Sequence, residues 1–167
     1  MNDELTASDV AKMEAEIEHR KLVLRPKLIE AVKEARAQGD LSENFEYYAA
    51  KREKNRNESR IRYLERMVRT AVVVSDESGA DEVGLNNTVT VYFEEDDETE
   101  VYRLVTTVRE DSLNGLISKE SPLGAALMGH KEGDRVKVTV NDDYSYYVVI
   151  RKIDKTQDDS QDKIRGF

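Results

Sequence analysis

The sequence predicts an α+β chain, an N-terminal antiparallel two-helix coiled coil followed by a small antiparallel β domain with one short helix. Three observations predict it. Apolar residues recur at three-, four- and seven-residue steps before Thr70 and in short alternating runs after it. A Gly39-Asp40 pair interrupts the helical stripe near its middle, where two long helices must fold back on each other. Charge divides at the same place as the pattern: residues 1–69 carry 15 Lys and Arg against 14 Asp and Glu, and residues 70–167 carry 11 against 21.

The first helix begins after an N-cap at Thr6 or Ser8, with Asp9 in its first turn. Val10, Met13, Ile17, Leu24, Leu28, Ala31 and Ala35 form one narrow stripe, the seam of a coiled coil. Pro26 lies inside this stripe and predicts a kink or local break. Gly39 ends the helix, and Asp40 is placed to cap the next. The second helix is expected over 42–69, with Phe45, Tyr48, Ala49, Ile61, Leu64 and Met67/Val68 on its apolar side.

Beyond Thr70 the texture is that of strands. Residues 71–74 are a short β-type run, and runs at 88–93, 101–108, 135–140 and 145–153 are expected in a sheet, with hairpin turns at 94–100 and 141–143. Pro122–Met128 opens with proline and closes on Gly129, which predicts a short helix. The expected domains are a hairpin over 1–75 with its tip near 39–47, a polar linker over 76–82, a β domain over 83–154 and a disordered tail over 155–167.

Composition narrows the function classes. The 167 residues are 38% hydrophobic and 37% charged, which suits an extended molecule with much solvated surface. There is no cysteine, and His19 and His130 are far apart, so disulfides and a zinc site are not expected. No apolar run is long enough to span a membrane, and the first twenty residues lack the basic-then-apolar pattern of a secretory signal; a cytoplasmic protein with no membrane partner is the expectation. A net charge of -9 argues against broad nucleic-acid binding, although the near-neutral first half leaves that open for one arm.

The motif that carries the chemistry is Gly39-Asp40-Leu41-Ser42-Glu43-Asn44-Phe45-Glu46-Tyr47 at the predicted tip. It resembles the G-D-L-x-E-N-x-E-Y motif of the Gre family of bacterial transcription elongation factors, matching its seven defined positions. A second stretch, Ser121-Pro122-Leu123-Gly124-Ala125-Ala126-Leu127-Met128-Gly129 followed by Gly133-Asp134, resembles the family's S-P-x-x-x-A-L-x-G…G-D block, and Arg25-Pro26 is similar to the family as well. The resemblance runs from about residue 6 to 154; Phe45 departs from it, standing where the family has a small residue.

The resemblance implies an FKBP-like fold for the β domain, which docks on RNA polymerase while the coiled coil enters the secondary channel. Asp40 and Glu43 take the places of the family's two acidic residues, which assist the polymerase active site and help hold a second Mg²⁺ shared with the polymerase. No stable Mg²⁺ binding by the free protein, and a monomer when free, are expected. Lys51 matches a basic family position, and with Arg52 it is assigned to the 3′ segment of backtracked RNA. Asn44, Glu46 and Tyr47 are assigned to support of the tip, and Ser121 and Pro122 to polymerase docking.

Each assignment has a plainer counterpart. Asp40 and Glu43, three residues apart at a helix start, are close to a capping box. The basic residues of the second helix form a solvated face with ion pairs such as Glu58–Arg62. Tyr47 and Tyr48 either pack the hairpin end or stack on an unpaired base. Ser121-Pro122 starts a helix. The expected function is stimulation of the polymerase's own cleavage of backtracked RNA by a protein that is not itself an enzyme. The alternatives are a channel-occupying inhibitor, an FKBP-type prolyl isomerase and a free-standing nuclease. The intact Asp-x-x-Glu spacing speaks against the first, the single Phe and absent Trp of residues 83–154 against the second, and the sparse carboxylates against the third.

Overall fold

The computed structural model describes residues 3–39 and 44–166. The chain forms two compact units, one of residues 1–3 and 9–72 and the other of residues 4–8 and 73–167. Elements run as β1 (Glu4–Leu5), α1 (Ala7–His19), a π-helical segment (Arg20–Leu24), α2 (Arg25–Ala37), α3 (Phe45–Thr70), β2 (Val72–Val73), β3 (Thr88–Phe93), β4 (Glu98–Val105), β5 (Leu116–Ser118), α4 (Pro122–Leu127), β6 (Arg135–Asn141) and β7 (Tyr144–Asp154). No described helix is long and apolar enough to cross a membrane.

In the helical unit, Pro26 is accommodated rather than disruptive. The backbone widens over Arg20–Leu24, where the Arg25 N–H reaches back five residues to Arg20 O, and a fresh α-helix starts with Pro26 in its first turn. A first-turn residue has no intrahelical use for its N–H, so the missing donor costs little there. Asn57 of α3 completes the break: its amide donates to Arg20 O (3.2 Å) and its oxygen accepts from Arg20 Nη1 (2.9 Å). The seam buries Met13, Ala35, Ile61, Leu64 and Met67, with Arg60 among them reaching Glu16 at 2.9 Å. Burial pushes the Glu16 carboxyl up, but hydrogen bonds and charge from Arg60 and Arg20 outweigh it and hold the group below the ordinary carboxylate range. Arg25 grips Glu58 with two hydrogen bonds of 2.9 Å, and Lys21 meets Glu65 at 2.8 Å.

The second unit is built on a five-stranded sheet in the order β5-β4-β3-β7-β6. All neighbours are antiparallel except β4 and β5, which run parallel. The expected all-antiparallel sheet is therefore corrected at one edge, where a three-residue strand is too short to leave a period in the sequence. One face buries Val83, Val89, Val91, Leu104, Ile117, Leu127, Val136, Val138, Val148 and Ile150, with α4 supplying Leu127. Beyond that core Phe93 stacks on Tyr146 at 6.0 Å and meets Tyr102 edge-on at 6.2 Å. Counting Phe and Trp alone overlooks this tyrosine-built aromatic surface.

The segment read as a linker, 76–82, folds into this unit. Asp76 takes hydrogen bonds from the Ser78 N–H and the Asn87 amide, and Lys155 Nζ donates to Gly79 O (3.0 Å) and Glu82 O (2.7 Å). Residues 4–8 join it as well: the Val74 N–H donates to Leu5 O at 2.8 Å, and Lys119 pairs with Glu4. The tail read as disordered is held from Lys155 to Arg165, since its polar side chains find partners on the sheet unit. Low hydrophobicity misleads in both segments because their order comes from hydrogen bonds.

Candidate functional site

The tip of the hairpin is closed by one side chain. Helix α2 ends at Ala37, Gln38 follows, and Gly39 takes φ +140°, a conformation that side chains rarely adopt. On the returning strand Asn44 is extended (φ −88°, ψ 90°), and its Oδ1 accepts from the Tyr47 N–H at 3.0 Å, capping α3. Its Nδ2 donates to Ala35 O at 2.5 Å, a carbonyl in the last turn of α2 that also accepts from the Gln38 N–H at 3.3 Å. Asn44 thus ties the last turn of one helix to the first turn of the next. This corrects the expectation that Asp40 caps the second helix and that the helix begins at Ser42: the cap is Asn44 and α3 starts at Phe45.

Tyr47 packs beneath this tie and is buried. The Arg36 guanidinium lies 5.5 Å from its ring centre and donates to its hydroxyl at 3.4 Å, a contact that draws the phenol below its ordinary range. Lys51 Nζ lies 6.0 Å from the same ring, and Tyr48 meets Tyr47 edge-on at 5.4 Å. Tyr47 is therefore a packing residue, whereas Tyr48 and Phe45, expected on the apolar side, are exposed, Phe45 by 85%. The helix is rotated so that Tyr47, Asn57, Arg60, Ile61, Leu64 and Met67 face inward. Periodicity gives Ile61, Leu64 and Met67 on this face but not Asn57 and Arg60, which are polar; their spacing with Ile61 and Leu64 is the signal that marks them.

Glu46 is exposed in the first turn of α3, where a carboxylate favours the helix dipole. Lys51 and Arg52 are exposed one to two turns further along. Asp40 and Glu43, the two acidic residues of the motif, lie outside the described residues. Among the described residues no group of three or more His, Cys, Asp or Glu is placed to hold a metal ion. Magnesium takes six oxygens and is commonly held by one or two carboxylates with water and phosphate oxygens, so the donor chemistry of the two acidic residues fits it as part of a larger shell.

Ser121 and Pro122 lie in the sheet unit. Ser121 caps α4, accepting from the Gly124 N–H (3.1 Å) and donating to Ser118 O (2.6 Å), and Pro122 opens the helix with its ring exposed. Gly124 is required here: a Cβ would stand 2.1 Å from Ser118 O.

Comparison with known proteins joins the two halves. Residues 4–73 match the family described as "Transcription elongation factor, N-terminal", and residues 77–155 match "Transcription elongation factor, GreA/GreB, C-term". Transcription elongation factor GreA of Streptococcus gordonii is 44% identical over 156 residues, covering 92% of this chain and 96% of that protein. GreA of Streptococcus pneumoniae serotype 19F is 44% identical over 153 residues, covering 91% and 95%. Among solved structures, the GreA factor homolog Gfh1 of Thermus thermophilus is 24% identical with a TM-score of 0.43, covering 92% of this chain and 99% of that one. Both halves thus describe one class, transcription elongation factors. The chain belongs to the GreA/GreB family of these factors.

Proposed function

We propose that this protein binds RNA polymerase, inserts its hairpin tip into the secondary channel and stimulates the polymerase's own cleavage of backtracked RNA. The observation that carries the reading is the tie made by Asn44, which joins the last turn of α2 to the first turn of α3 on either side of the motif's acidic positions. Two helix ends held together by one side chain have less conformational freedom to lose on entering another protein's active site.

In this reading Asp40 and Glu43 would help hold a second Mg²⁺ whose other ligands come from the polymerase. When bound, such an ion neutralises phosphate charge and lowers the pKa of an attacking water. The chain's own part is to deliver two carboxylates, to exclude bulk water with the tip and to place Lys51 and Arg52 beside the RNA 3′ segment. Ser121-Pro122 would dock the sheet unit on the polymerase, and the protein would act as a monomer.

A backtracked polymerase complex with 3′-labelled RNA tests the proposal. Addition of the protein is expected to release short labelled fragments and restore elongation. Occupation of the complex without cleavage would establish the inhibitor reading instead.

A further inference from the structure

The C-terminal segment carries a feature that the helical tip does not explain. After β7 the chain runs over the sheet unit without regular structure. Thr156 Oγ1 donates to Asn86 O (2.8 Å), Gln157 Nε2 donates to Leu85 O (3.1 Å), and the Arg165 N–H donates to Val108 O (2.8 Å). Between these anchors Asp162 enters a socket of two arginines. Arg109, wholly buried, donates to its carboxylate at 2.8 Å, and Arg103 of β4 donates to the other oxygen. The Asp162 side chain is 5% exposed, the deepest point of a segment whose neighbours Gln161 and Lys163 face solvent.

The socket is larger than its occupant. A cavity of about 350 Å³ adjoins the pair, lined by Asp111, Asn114, Leu116, Gln161 and Lys163 as well as the arginines. Arg103 Nη1 is buried with no hydrogen-bond partner among the described residues. Arg103 therefore has a donor that Asp162 does not use. A buried guanidinium pair selects planar, doubly accepting anions. The family match ends at residue 155, so the socket belongs to the shared sheet domain while its occupant lies outside the match.

We propose that Arg103 and Arg109 form a carboxylate-binding site for an acidic peptide segment of a partner, and that residues 156–166 are a built-in strap occupying it through Asp162. The site stands on the sheet unit alone and does not depend on the hairpin tip. A partner's acidic side chain takes the site by displacing Asp162, which frees the strap from its central anchor while Thr156 and Gln157 keep its root in place. Burial raises the Asp162 pKa, but hydrogen bonds from Arg103 and Arg109 hold it below the ordinary aspartate range, so the strap remains latched at neutral pH.

The full-length chain and its Asp162→Asn variant test this by hydrogen exchange and peptide binding. In the variant, the Arg165 amide is expected to exchange at least tenfold faster, while those of Val91 and Ile150 keep their rates. A synthetic peptide of residues 157–166 should bind the variant at least tenfold more tightly than the parent, and the same peptide with Asn at position 162 should lose that binding. Arg103→Gln in the variant background should abolish it. Unchanged exchange at Arg165, or faster exchange throughout the sheet, would overturn the proposal, as would equal binding of the Asp and Asn peptides.

Discussion

A continuous cluster of ten buried apolar residues holds the sheet unit together, whereas the helical hairpin sets Glu16, Arg20, Asn57 and Arg60 into a seam of scattered apolar contacts. The difference is one of geometry. A sheet covered on one face encloses a core from several sides, and each valine meets many neighbours. Two helices touch along a line, so the fully buried part of the seam is narrow, with Met13 and Leu64 in it, and long charged side chains cover its margins with their stems. The sheet unit is suited to be a stable platform, and the hairpin an arm whose cohesion depends on polar pairs.

The largest test of this contrast is in the sheet. Ile150→Ala removes a wholly buried side chain and is expected to cost about 2–5 kcal/mol in denaturant unfolding of the sheet unit. A loss under about 1 kcal/mol would mean that the cluster is loosely packed. At the tip, Asn44→Ala deletes both the cap and the tie and is expected to cost about 1–2 kcal/mol, read as faster amide exchange at Tyr47. Asn44→Asp keeps the capping oxygen but loses the donor to Ala35 O, so it should fall between parent and Ala. Equal exchange in all three would remove Asn44 from the account.

A third effect separates the two ends of α3. Replacing Lys51 and Arg52 with Glu is expected to lower cleavage stimulation about tenfold and to flatten its salt dependence, because fewer counterions are released from RNA. The same reversal at Arg66 and Arg69, near the C-terminal end of the helix, should do much less. Matching losses would point to charge in general rather than to contact near the tip.

The smallest effect distinguishes the units by pH. Hydrogen bonds from Arg25 hold the Glu58 carboxyl below its ordinary value, and Glu16 is lowered by Arg60 and Arg20 against the effect of burial. Carboxyls lowered in the folded state contribute stability above their unfolded pKa and lose it as pH falls through the folded value. Helicity of the hairpin should therefore weaken below about pH 4.3, the ordinary glutamate pKa, and Glu58→Gln should reduce that dependence. The contribution of this partly exposed pair should be small, because solvent screens it. A hairpin insensitive to acid would contradict the seam described here.

Much of this was legible in the sequence, and the failures share a cause. Helix periodicity, the Gly39 break, the Pro122 start and four of the sheet's five strands follow from local pattern. On the inward face of α3, Ile61, Leu64 and Met67 follow from the pattern as well, whereas Tyr47, Asn57 and Arg60 do not, because they are buried against partners on other helical segments. Local pattern favours Asp40 as the cap of α3 over Asn44, since both residue types suit that position and only the contact with Ala35 distinguishes Asn44. The short parallel β5 and the socket for Asp162 depend on residues far apart in sequence, which no window reads.

In the proposed function Asp40 acts as a charged ligand at the hairpin tip, and Asp40→Asn tests it most directly. Since Asn44 caps α3, this change should leave hairpin helicity and polymerase affinity as they are. Cleavage of backtracked RNA, measured in parallel with binding, should fall about a hundredfold, equivalent to about 3 kcal/mol in the barrier, with partial recovery at raised Mg²⁺ or with Mn²⁺. Normal binding with cleavage at the parent rate would contradict the account.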